Sequence, residues 1–245
     1  MIRRALTIAF TAAGLSLALG CGTEEKPLAP VVDYFPLAVG NYWVYDETGY
    51  SAANPTATRQ IRHEVVDYID MDFEHDAEGA LPVFVVETTY PTGDADDPRL
   101  EYHHDDGVRA VRKRQEVYDQ TTAVLKKTRD YEPGLLRLDR SLTAAGEEWD
   151  EVYMTFTVSI PAEIDDGDWE VEYLYEILDP VTVTVPAGTF DDCMVVQRTT
   201  ASGTDFEVKV YYFARDVGKV KEDTGDGEKV EELFEYHVET PDGGV

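Results

Sequence analysis

"RLEYHHDDGVRAVRKRQEVYD", Arg99 to Asp119, decides the fold. Asp106-Gly107 sits between two arms rich in β-branched and aromatic residues, and a flanked Asp-Gly is the strongest short-range signal of a β-hairpin. The same grammar extends in both directions. Upstream lie "NYWVYD" (Asn41–Asp46), "RQIRHEVVDYI" (Arg59–Ile69) and "PVFVVETTY" (Pro82–Tyr90). The second of these alternates Ile61, His63, Val65 and Asp67 against Arg62, Glu64, Val66 and Tyr68. Downstream, "EVYMTFTVSI" puts Val152, Met154, Phe156 and Val158 on one strand face. "DWEVEYLYEIL", "VTVTVPAGTF", "CMVVQRTT", "FEVKVYYFA", "GKVKED" and "KVEELFEYHVE" follow, spaced by turn residues such as Asp166-Gly167 and Asp226-Gly227. "DQTTAVLKKTRDY" and "SLTAAGEEWDEVY" each have room for a turn or two of helix. Many short strands at close spacing predict a mainly β protein, a curled antiparallel sheet or unfinished barrel, with little helix beyond the N-terminus.

The N-terminus follows different rules. Arg3 and Arg4 precede an uncharged run from Ala5 to Gly20, the layout of a secretory signal. The run is shorter than the roughly 20 residues of a spanning helix. Leu17-Ala18-Leu19-Gly20-Cys21 resembles the lipobox of bacterial lipoproteins. That resemblance implies cleavage between Gly20 and Cys21 and a diacylglyceryl group, with a further acyl chain, on Cys21. Two or more chains suffice for stable anchoring without a spanning helix. Gly22, where Asp favours inner-membrane retention in enterobacterial lipoproteins, implies the outer membrane. The predicted organisation is a signal over 1–20, a lipidated tether with Pro27 and Pro30 over 21–32, one β domain over 33–239, and a disordered tail over 240–245.

Composition narrows the partners. The net charge is −29, and the acids are spread along the whole chain. Such a chain lacks the Lys/Arg excess that binds nucleic acid, and anionic membranes repel it. The lipid on Cys21 is therefore the expected membrane contact. With Cys21 lipidated, Cys193 has no disulfide partner and reads as a small core residue.

Three motifs resemble a family of poorly characterised bacterial lipoproteins. They are "DYFPLAVGNYWVYD" (Asp33–Asp46), "VTVTVPAGTFDDCMVV" (Val181–Val196) and "VYYFARDVGKVKED" (Val210–Asp223). The resemblance extends to the LolA/LolB-like carrier architecture, in which a curved antiparallel sheet holds acyl chains in an apolar concavity. It implies a non-enzymatic envelope protein that binds a hydrophobic or amphipathic ligand, or an envelope protein. Gly40 and Gly218 are expected to supply turn geometry. Tyr42, Trp43, Tyr45, Tyr211 and Phe213 are the candidate ligand contacts, and together with Phe190 and Tyr212 they also suit sheet packing. An acidic exterior is expected to disfavour anionic headgroups.

Motifs for nucleophilic, phosphate or zinc chemistry are absent from the sequence. His103-His104-Asp105-Asp106 is the most suggestive metal cluster, but strand neighbours point to opposite faces. The acid-rich "GDADD" and "DTGDGE" match no calcium-loop spacing. No cofactor or metal is expected. The competing readings are a hydrolase or glycan-active enzyme using a carboxylate pair, and a structural or adhesive surface module.

Overall fold

The structure is a computed structural model. It describes residues 33–51, 54–73, 79–92, 96–160, 164–202, 205–225 and 227–239. The signal, Cys21, the tether and the 240–245 tail lie outside the described residues, as do Gly93–Ala95 and Asp226.

Twelve strands follow one another: β1 (Tyr42–Thr48), β2 (Thr58–Met71), β3 (Leu81–Thr92), β4 (Arg99–Asp105), β5 (Arg109–Tyr118) and β6 (Leu125–Asp139), then β7 (Glu148–Ser159), β8 (Ile164–Val185), β9 (Gly188–Ser202), β10 (Asp205–Ala214), β11 (Gly218–Thr224) and β12 (Val230–His237). Each pairs antiparallel with its chain neighbours. β1 also pairs with β12, from Tyr42 opposite His237 to Thr48 opposite Val230. The curled antiparallel sheet is thus observed, and it closes completely into a barrel. Closure removes the two unpaired edges that an unfinished barrel would expose.

The founding hairpin is β4–β5, with Asp105 opposite Ala110. Asp106 Oδ1 accepts the Val108 and Arg109 N–H groups, which fixes its turn. Two expectations are corrected. Asp166-Gly167 lies inside β8, because the β7–β8 turn comes earlier, between Ser159 and Ile164. The two stretches allowed some helix form turns and strand, and no helix occurs among the described residues.

Alternation sorts side chains into an inner and an outer face. Arg59, Ile61, His63 and Val65 are inward on β2 until the register shifts between Val65 and Asp67, which removes Asp67 from that row. On β7 the buried row is Tyr153, Thr155 and Thr157. The apolar row of Val152, Met154, Phe156 and Val158 takes the other face, and Val152 is 46% exposed. Here the sheet turns its more polar face inward.

One end of the barrel is stoppered by residues 33–40. Arg140 binds the Asp33 and Asp105 carboxylates at 3.0 and 2.8 Å, and the Asn41 side chain donates to Pro36 O at 3.0 Å. Behind the stopper lies an apolar cluster of Trp43, Val65, Val86, Val185, Val220 and Leu233. Cys193 belongs to it, fully buried, with its thiol pushed up by burial. The Trp43 indole donates to Val217 O at 2.5 Å. Gly218, at φ 101°, leaves room for that ring; a Cβ there would stand 3.3 Å from the indole nitrogen.

Candidate functional site

Eight strands leave a barrel interior just wide enough to be filled by side chains. Twelve strands give this barrel a cavity of about 360 Å³. Its floor is Phe35, Leu37, Trp43, Leu136 and Phe213, presented by the stopper and the adjoining strand ends. Above the floor, β1, β2, β4, β5, β9 and β10 supply Tyr45, His63, His103, Arg112, Arg198 and Tyr211. Toward the opposite end stand Glu47, Arg59, Tyr90, Arg99, Lys209 and Lys229.

The lining reverses the sign of the chain. Nine of its residues are Arg or Lys and four are Glu, drawn from totals of 21 basic and 50 acidic residues. The four carboxylates are all engaged. Glu47, fully buried, pairs with Arg59 and Lys229. Glu101 pairs with Arg112 and accepts from His103 at 3.2 Å. Lys219 bridges Glu222 at 2.5 Å and Glu231 at 2.7 Å, and Lys209 stands 3.7 Å from Glu222. Four cations remain. Arg99 reaches the Asp96 carboxylate at 3.9 Å, and Arg129 donates to Thr157 Oγ1 at 3.3 Å. Arg137 and Arg198 have no hydrogen-bond or ion-pair partner among the described residues.

Arg198 is 93% buried in effect, at 7% exposure. Its guanidinium lies 4.3 Å from the Tyr173 ring centroid and 5.4 Å from that of Tyr211. Burial raises the Tyr211 hydroxyl, which Arg198 and Arg137 oppose; it settles at about 12. The same two arginines act on the buried Tyr175 hydroxyl, so they share one locale.

Burial, with Lys219 nearby, lowers the His63 imidazole to about 4, and its Nδ1 sits 2.9 Å from Thr88 Oγ1. Burial also lowers His103, against the pull of Glu101. Burial pushes the Glu101 carboxyl up, but Arg112, His103 and Arg137 together more than reverse this and hold it well below the carboxylate range. Lys219 bridges the inward carboxylates Glu222 and Glu231; burial pushes both up, but Lys219, with Lys209 at Glu222 and Lys229 at Glu231, holds both down. A dyad that shares a proton needs one carboxyl raised instead.

Four of the five aromatic candidates, Trp43, Tyr45, Tyr211 and Phe213, line the cavity. Tyr42 does not. It follows the opposite parity and faces outward, stacked on His237 and bonded to Glu235 at 2.7 Å. His103 and His104 diverge as strand neighbours must: His103 lines the cavity, and His104 Nδ1 lies 2.8 Å from Pro82 O. No three metal-ligating side chains converge among the described residues. The concavity expected to be apolar is polar above its floor. Its aromatics serve as floor and as platforms for arginines. The acids crowd the outside and the cations the inside, so the repulsion of anions expected of the exterior does not extend to the lining.

Sequence reading missed Arg112, Arg137 and Arg198. A signal was present: several inward rows carry a cation next to apolar residues, as in Arg59-Ile61-His63-Val65, Val196-Arg198 and Lys209-Tyr211-Phe213.

No family profile and no curated protein sequence matches the chain. The fold does have counterparts. A Bacteroides fragilis protein with a YmcC-like fold, classed as exported, aligns at TM-score 0.51 and 12% identity, over 84% of this chain and 99% of its own. A Parabacteroides distasonis protein classed as a lipoprotein aligns at TM-score 0.48 and 13% identity, over 85% of this chain and 100% of its own. The first likeness places the architecture with the YmcC-like barrels.

Proposed function

We propose that the chain is an envelope lipoprotein, held to the outer membrane through Cys21, whose barrel binds a small amphipathic molecule without transforming it. The observation that carries this reading is the cavity of about 360 Å³, apolar at its stoppered end and charged above it. Pockets that bind small molecules start near 300 Å³ and combine apolar walls with a few placed polar groups. The lipobox-like Gly20-Cys21 supports the address, and the export class of the Bacteroides fragilis counterpart agrees with it. The inward Glu222–Glu231 pair keeps both carboxyls ionised, which favours binding over acid–base chemistry there.

Native mass spectrometry tests the binding half. The mature protein, isolated from its own envelope without denaturation, is expected to carry a small non-covalent companion that denaturation releases. A chain that carries none, and that saturates with no small amphiphile added later, overturns the reading. Labelled fatty acid tests the address: Cys21→Ser is expected to abolish incorporation. Label retained in that variant would contradict the anchor.

A further inference from the structure

We propose that Arg198 and Arg137 form an oxyanion subsite, so that the molecule held in the barrel carries a carboxylate or phosphate group. The inference rests on the binding reading above and names the charge of the ligand.

Three observations converge on it. The lining is cationic, nine basic residues against four acidic, inside a chain of net charge −29. Chance placement in so acidic a chain would give the opposite sign. The four inward carboxylates are already shared by Arg59, Arg112, Lys209, Lys219 and Lys229. Arg198 is left buried, with its Nε lacking a hydrogen-bond partner.

An unpaired buried charge is costly. A lysine could relieve the cost by losing its proton, whereas an arginine stays charged at any ordinary pH. The rings of Tyr173 and Tyr211 offset part of the cost through their electron-rich faces. They also leave the guanidinium edge free, because a stacked arginine keeps its N–H fork in plane. That fork matches the two oxygens of a carboxylate or phosphate. Arg137, on β6, acts on the same Tyr175 and Tyr211 hydroxyls as Arg198 and adds a second cation without a partner among the described residues. The floor of Phe35, Leu37 and Phe213 would then receive the ligand's apolar part.

Three water-soluble probes of one shape separate the outcomes: 4-fluorobenzoate, 4-fluorophenyl phosphate and the neutral 4-fluorobenzamide. Each is titrated against full-length protein and followed by its fluorine resonance. Saturable binding of at least one anion, at least tenfold tighter than the amide, is expected. Arg198→Gln should reduce that anion to the level of the amide. The stronger anion tells whether the natural group is a carboxylate or a phosphate. If Arg198→Gln loses the β spectrum of the parent, Arg137→Gln provides the same comparison. Amide binding as tight as the anions, or anion binding indifferent to both substitutions, would overturn the oxyanion subsite and leave the cavity reading standing. No saturable binding by any of the three, amide included, would count against both.

Discussion

The stoppered end of the barrel interior and its middle are built on opposite principles. At the stoppered end, Trp43, Val65, Val220 and Leu233 pack together, and the polar groups among them are satisfied. Midway along the barrel, cations outnumber carboxylates, and Arg198 is buried against tyrosine rings. The first region does what a core does: it gains from burying apolar area. The second region costs stability that a closed barrel could keep by filling the same space with leucines. That cost in stability is what the proposed binding role would explain.

The contrast can be broken first at the stopper. Trp43→Ala removes the largest ring of the apolar cluster and its bond to Val217 O. A loss of about 3–5 kcal/mol is expected, read from urea unfolding followed by circular dichroism. A loss below about 1 kcal/mol would show that this end is not the structural one.

His63 sharpens the comparison through pH. Its imidazole falls from 6.5 to about 4 on folding. Between those values the unfolded chain binds a proton that the folded chain refuses. Stability therefore declines as pH drops through that window, by up to about 3 kcal/mol from this group. His63→Gln should make that part of the stability–pH curve shallower, leaving the share of His103, which burial also lowers, and the carboxylates at lower pH. An unchanged curve between pH 6.5 and 4 would contradict the neutral, half-buried imidazole.

A smaller effect is expected at the stopper's clasp. Arg140→Ala releases Asp33 and leaves Asp105 without its partner. A loss of about 1–2 kcal/mol is expected, with faster amide exchange confined to residues 33–40. Smallest of all is the exposed pair of Lys126 with Asp97 at 2.6 Å. Lys126→Ala should leave the urea unfolding midpoint where the parent has it.

Strands and hairpins were legible in the sequence because alternation and turn residues act locally. Asp106-Gly107 and the inward row of Ile61, His63 and Val65 needed no tertiary information. Closure of β1 on β12 was less legible, since nothing in "NYWVYD" distinguishes an edge strand from one paired on both sides. The site was hidden for a sharper reason. On β7, alternation separates Thr155 and Thr157 from Phe156 and Val158, but it does not say which row faces in. The usual assumption puts the apolar row inside. A polar interior inverts that assumption, and the same inversion conceals Arg198 beside Val196.

The central claim is that the mid-barrel cations are placed for a ligand and do not hold the fold together. Arg198→Met, which fills similar space without charge, tests it most directly by urea unfolding of the ligand-free protein. Stability equal to the parent, or higher by about 1–4 kcal/mol, is predicted. A loss of about 2 kcal/mol or more would show that Arg198 is a structural partner within the barrel, and would contradict the account.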